Sequence, residues 1–320
     1  QTADLWEDRQ METRNYMRHG YTAAGQAWGS GADMALKAQP AKAAPLPEQG
    51  NFGIWTKMTG SLTERKATGD LGTFGPLFAG LGYDNSYSQR TGSIISGFDF
   101  GRNEFTSPFD SLVFGVMGGY ISSSLDFTAP NTLSGGSKTS FNYTGGTVGA
   151  SATYMNRGFF TDVLLKADFL SLNVGGIPTS FCSVGLSSPC GQNLGVTTFG
   201  VVSDVGYRFE FRNYFFEPLA TVSWNRNSIG DMNLPGSAVT VKFGSVDSLD
   251  VAGGFRTGGI IMDDKVHYLE ASLTGRVWDH VFGNNPVDFV NPGPTFTLSD
   301  KFQRIYGEGA LQLNWFNRAS

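Results

Sequence analysis

The sequence has no long hydrophobic run. No stretch of about 18 apolar residues occurs, so no transmembrane helix is expected. Charge is scarce too. Charged residues make up 16% of the 320, below the roughly 25% typical of soluble domains. The net charge of -5 gives a nucleic-acid partner no electrostatic support. Histidines number three, His19, His267 and His280, and show no His-x-x-x-His spacing. There is no Gly-x-Ser-x-Gly elbow, and the many glycines form no phosphate-binding fingerprint in a βαβ setting. No catalytic residue, metal or cofactor is therefore assigned. A secretory leader is missing as well, because Gln1 opens directly into a charged segment. For an exported product, Gln1 is expected not to be the natural start.

The two cysteines, Cys182 and Cys190, sit in the short segment Phe181-Cys-Ser-Val-Gly-Leu-Ser-Ser-Pro-Cys190. With no paired histidine they fit a metal site poorly. A small loop disulfide, which implies an oxidising compartment, fits better than two free thiols in a polar loop.

What is abundant is glycine, 43 residues, and aromatics, 13%. That combination suits a wall with one apolar face, aromatic girdles and tight turns. The mean hydropathy of -0.16 is ordinary, as it is when apolar residues occupy every second position.

Three regions follow from the pattern. Residues 1–20 hold a predicted helix over 2–19. Thr2 can cap it, Asp4, Glu7 and Asp8 suit its first turns, and Gly20 follows Arg18 and His19 as a stop. Its apolar residues Leu5, Trp6, Met11, Tyr16 and Met17 make no continuous stripe, so it suits a water-filled channel better than an apolar core. Residues 21–50 are an Ala/Gly/Pro-rich linker. From residue 51 to 320 the period is two. In one segment Phe159, Thr161, Val163, Leu165, Ala167 and Phe169 share a face, against Asp162, Lys166 and Asp168 with Leu164 and Leu170. The same split recurs around Glu217, around Glu270 and Arg276, and around Arg304, Glu308 and Gln312. Ten such segments can be read, most too long for a globular strand and long enough to cross a bilayer with projections at the rims. Their connections alternate short and long, the long ones at 66–85, 125–139, 172–195, 227–247 and 280–295. The fold class is all-β: an antiparallel transmembrane outer-membrane barrel.

Several segments resemble, in order, the translocator β-domain of autotransporters, the type V secretion proteins. Thr2-Ala-Asp-Leu-Trp-Glu-Asp-Arg-Gln-Met-Glu-Thr-Arg14 is similar to the family's pre-barrel segment, and Gly53-Ile-Trp-Thr56 to its opening strand. Later come Phe114-Gly-Val-Met-Gly-Gly-Tyr120, Phe159-Phe-Thr-Asp162, Val205-Gly-Tyr-Arg-Phe-Glu210, Phe216-Glu-Pro-Leu219 and Val251-Ala-Gly-Gly-Phe-Arg256. The resemblance implies a twelve-stranded barrel with an α-helix in its pore, in the outer membrane of a Gram-negative bacterium. It also implies export and surface display of an upstream passenger, and no enzyme activity. Ten strands are readable and no terminal aromatic closes the chain, so the natural chain is expected to continue past Ser320 by two strands, or another chain to fill the gap. Some members cleave themselves at an Asn of the helix. Here Asn15 is followed by Tyr16 and not by a second Asn, so self-cleavage is not expected.

The polar face supplies candidate site residues. Trp6, Arg9, Arg14 and Arg18 of the helix are expected to meet the lumen, the arginines pairing with Asp162, Asp168, Glu217, Glu270 or Glu308. Glu7, Asp8 and Glu12 would meet Lys166, Arg256, Arg276 or Arg304. The lumen carboxylates are read as the charged lining of a wet pore and not as a catalytic rim. Expected partners are outer-membrane lipid and lipopolysaccharide, the chain's own passenger, the barrel assembly machinery and neighbouring outer-membrane proteins. A porin plugged by its own N-terminus, a structural component of an outer-membrane complex and a barrel-borne hydrolase are the competing readings. The long outer loops are read as solvated.

Overall fold

A computed structural model describes residues 10, 13–14, 22–23, 27–29, 51–65, 68–70, 82–84, 86–127, 139–177, 190–211, 213–233, 240–263, 267–283, 285–290, 295–300 and 304–317. Ten long strands carry the fold: β1 (Asn51–Arg65), β2 (Tyr87–Asn103), β3 (Asp110–Phe127), β4 (Ser140–Asn156), β5 (Phe159–Ile177), β6 (Cys190–Tyr207), β7 (Tyr214–Ile229), β8 (Ser245–Asp263), β9 (His267–Phe282) and β10 (Ile305–Asn317). Each pairs antiparallel with the next in chain order, so the sheet is a meander that curls on itself. These are the ten predicted segments, and several run further toward the long-loop side. β5 continues to Ile177 and β6 begins at Cys190, which shortens the loop expected at 172–195.

The edges carry short strands. Thr22–Ala23 pairs with Asn317 and Phe316 of β10, and Ala27–Gly29 pairs with Ile54, Gly53 and Phe52 of β1. Among the described residues β1 and β10 do not pair with each other, and no two further long strands occur. Of the predicted helix, Gln10, Thr13 and Arg14 are described and are in helical conformation. The rest of it lies outside the described residues, as does most of the linker.

Burial alternates with the pleat. In β2, Ser93, Ile95, Gly97 and Asp99 are buried, while Ile94, Phe98 and Phe100 are exposed. On β5 the exposed side is Phe159, Val163, Leu165 and Phe169. An apolar face of that kind on many adjacent strands needs a non-aqueous solvent. The stretch Phe159–Phe169 matches the roughly 9–11 residues that a tilted strand needs to cross the hydrocarbon layer. No described helix is long and apolar enough to cross a membrane, which does not bear on a barrel.

Past that band the faces exchange character. Ser171 and Asn173 of β5 and Asn193 of β6 point outward, while Leu172, Val174, Leu194 and Val196 point inward and are buried. Their core is completed from the loops. Met232–Asn233, Thr240–Lys242, Asn285–Val290 and Phe296–Asp300 form a separate four-stranded sheet. Val241 is 2% exposed and joins the core, with Met232, Phe243 and Val287 packed against it. The loops at 227–247 and 280–295, expected to be solvated, thus build a cap over the mouth. Their apolar residues are few and scattered, so they gain burial only when two distant loops pair.

On the other side the connections are tight. Arg157-Gly158 alone joins β4 to β5, with Arg157 at φ 55. The β2–β3 turn is tied by Asp110, whose carboxylate accepts from the backbone N–H groups of Thr106 and Ser107 at 3.1 Å and from the Thr106 hydroxyl.

Candidate functional site

The concave face holds the site, and register decides which side chains meet there. Across four strands Thr153, Asp162, Asp204 and Thr221 stand opposite one another in one row. All four are buried and face inward. Two carboxylates directly opposite repel, which destabilises the row unless donors or cations answer them. The Thr221 hydroxyl donates to Asp204 Oδ1 at 2.5 Å. Arg14 forms a buried ion pair with Asp162 and lies over the Phe160 ring at 3.9 Å. Gln10 accepts from the Thr153 hydroxyl and reaches the Ser151 hydroxyl at 3.5 Å. Residues far upstream of the barrel are thus lodged against β4 and β5.

Phe160 can lie flat here because its inward neighbour on β6 is Gly206. A Cβ on Gly206 would stand 2.5 Å from the Phe160 ring. The ring therefore provides the platform on which the Arg14 guanidinium stacks.

A second cluster sits nearer the short-turn side. Arg208 reaches Glu217 Oε1 at 3.4 Å and Glu270 Oε2 at 3.3 Å, and Arg256 Nη2 lies 2.7 Å from Glu217 Oε2. Both guanidiniums pack on the Phe215 ring, at 3.7 Å and 5.3 Å. Glu217 and Glu270 are fully buried. A charge so enclosed is tolerable only when paired, and removing one member strands the others. The pairing ties the end of β6 to β7, β8 and β9 along the inner wall.

The remaining predicted residues have local partners. Asp168 accepts from the Thr147 hydroxyl at 2.6 Å and pairs with Lys166 at 3.2 Å. Glu308 accepts from Trp278 Nε1 at 2.6 Å and lies 3.7 Å from Arg276. Trp6, Arg9, Arg18 and Cys182 lie outside the described residues, as do Glu7, Asp8 and Glu12. Cys190 opens β6, and its side chain is likewise outside them.

Arg256, one of the four cations expected to meet Glu7, Asp8 or Glu12, pairs with Glu217 of the neighbouring strand. One expectation is revised. Arg304, assigned to the lumen face, is exposed at the loop-side rim and bonds Asp279 at 2.9 Å, because β10 begins only after it. The lumen is also less polar than expected. Trp55, Ile95, Met117, Leu164 and Val202 form a buried apolar cluster on the inner face. Sequence reasoning missed Gln10, Asp204 and Arg208. Asp204 of β6 and Arg208, just past its end, share the even positions of the segment read over 196–210, so the period-two reading carried them. Gln10 has no charge to mark it.

Among the described residues no group of His, Cys, Asp and Glu could hold a metal ion. A family model, the autotransporter β-domain, matches residues 73–316. In structure the chain is similar to the β domain of the Bordetella autotransporter BrkA, at 17% identity and a TM-score of 0.52, over 83% of this chain and 98% of that one. It is likewise similar to the transport unit of the autotransporter AIDA-I from Escherichia coli, at 11% identity and a TM-score of 0.51, over 83% of this chain and 90% of that one. At these identities the structural likeness is one of fold. No curated protein matches the chain in sequence.

Proposed function

Because the chain belongs to the autotransporter β-domain family, we propose that it exports an upstream passenger and anchors it at the cell surface. β-Domains of this family form the outer-membrane translocator of Gram-negative bacteria. The observation that carries the reading for this chain is the Arg14–Asp162 pair, flanked by the contacts of Gln10. A segment that precedes the barrel and is held by its inner wall is what remains after a polypeptide has been threaded through it.

In this reading the predicted helix fills the lumen, and Arg9 and Arg18 find carboxylates as Arg14 does. The apolar band meets membrane lipid, with lipopolysaccharide in the outer leaflet, and the barrel assembly machinery inserts the chain. The long-loop side faces outward, where Cys182 and Cys190 close a disulfide. The role is transport and attachment, with no catalysis by the barrel.

The test is display. An epitope fused ahead of Gln1, expressed with a secretion leader in a Gram-negative host, should become accessible to antibody on intact cells. Retention of the epitope in the periplasm beneath a correctly inserted barrel would overturn the proposal and leave a self-plugged pore. In planar bilayers, neutralising Arg9, Arg14 and Arg18 together should raise pore conductance, and unchanged conductance would count against the helix as the plug.

A further inference from the structure

His280 lies near the loop-side end of β9, above the membrane-spanning stretch. On the outward face there Asp279 pairs with Arg304, and Val281 is exposed beyond it. The ring is held at both nitrogens. Nδ1 is 2.6 Å from Asp250 Oδ1 on β8, and Nε2 is 3.0 Å from the Gly283 carbonyl oxygen. The backbone N–H of the same residue donates to the Arg304 carbonyl at 2.7 Å. Gly283 and Arg304 flank the segment that carries Asn285–Val290 and Phe296–Asp300, so one residue clasps both roots of that loop.

Neither ring partner has a proton to offer, since one is a carboxylate and the other a carbonyl. Only the imidazolium donates to both; a neutral ring has one donor. We infer that His280 is a proton-operated clasp on the cap: closed while the ring is charged, and loosened at Gly283 when the proton leaves. The neutral ring keeps its N–H on the carboxylate, where the bond is charge-assisted. Its bare Nε2 then faces the carbonyl oxygen and repels it. Only a glycine fits in this close form: the φ at Gly283 is +149, and a Cβ there would lie 2.7 Å from Nε2. Release at Gly283 reaches the cap through Asn285–Val290, which pairs with Thr240–Lys242 and so supports Val241.

The surrounding charges agree with the sign. Asp250 on β8 and Asp279 on β9 favour the charged ring, while Arg304 beside β10 is already engaged by Asp279. The hydrogen bond to Asp250, then that to Gly283, raise the pKa above its ordinary value, and burial opposes them. A raised folded pKa means that the contribution is complete below the unfolded value of about 6.5 and is lost as pH rises through the folded one. Only the side of the membrane on which this occurs depends on the proposed function, and the test below does not use it.

The experiment is hydrogen exchange on the folded full chain in detergent micelles from about pH 6 to about pH 9, corrected for intrinsic exchange. Exchange over Asn285–Val290 and Phe296–Asp300 should accelerate by up to about tenfold per pH unit between about pH 6.5 and the folded His280 pKa, and level off above it, while β2–β6 stay protected. His280→Gln should exchange fast throughout, and Asp250→Asn should move the transition to lower pH. A corrected exchange rate flat with pH, or the same titration in His280→Gln, would overturn the inference. If the variants fail to fold, the ring resonances of the unaltered chain decide. A midpoint above the ordinary histidine value supports the clasp, and one at or below it rejects the clasp.

Discussion

Within the membrane band β5 turns Phe159, Val163, Leu165 and Phe169 outward and Asp162 and Asp168 inward. A few residues on, the same strand turns Ser171 and Asn173 outward and Leu172 and Val174 inward. The backbone and its pairing do not change between the two regions. What changes is the solvent outside and the filling inside: lipid around a lumen that holds charge, then water around a mouth filled by the cap. A strand's polarity thus reports its surroundings, and the switch point marks the edge of the membrane.

Breaking the inner side of the band should have the largest effect. Glu217→Ala removes the carboxylate that Arg208 and Arg256 share, and should cost about 3–5 kcal/mol in urea titrations of the folded barrel, as expected when a buried pair loses one member. Next comes the outer side. Leu165→Arg, in the middle of the band, should cost about 2–4 kcal/mol in lipid vesicles. The same charge as Asn173→Arg, past the switch point, should stay within about 0.5 kcal/mol. Equal costs at the two positions would erase the comparison.

Leu172→Ala probes the inner side above the band and should cost about 2 kcal/mol, with faster exchange in the cap and an intact membrane sheet. A smaller loss than at Leu172 is expected at the short-turn side. Burial pushes the Asp110 carboxyl up, but hydrogen bonds from the Thr106 hydroxyl, the Ser107 and Thr106 N–H groups and Tyr154 outweigh it and hold it below its ordinary value. Its contribution is therefore full above the unfolded pKa of about 3.9 and fades as pH falls through the lower folded value. Asp110→Asn should remove that acid dependence and cost about 1 kcal/mol.

The band was legible in the sequence because lipid on one face and charge on the other enforce strict alternation. Phe159 to Phe169 and the acids between them were assigned to the correct faces by period alone. Above the band alternation persists with its sense reversed, so Leu172 and Val174 read as the start of a loop. The cap depends on Val241 and Val287, which are far apart in sequence and carry no local signal. Likewise, Arg208 could be placed on the inner face, but its sharing between Glu217 and Glu270 depends on how the sheet curls.

The most direct test of the central claim joins the upstream segment to the wall. Gln10→Cys with Thr153→Cys, in a background of Cys182→Ser and Cys190→Ser, should form an internal disulfide on mild oxidation in intact outer membranes. A Leu165→Cys partner on the opposite face of β5 should not cross-link. Free thiols at 10 and 153 under the same oxidation, in a barrel that resists heat like the parent, would show that the segment is not held in the lumen and would contradict the account.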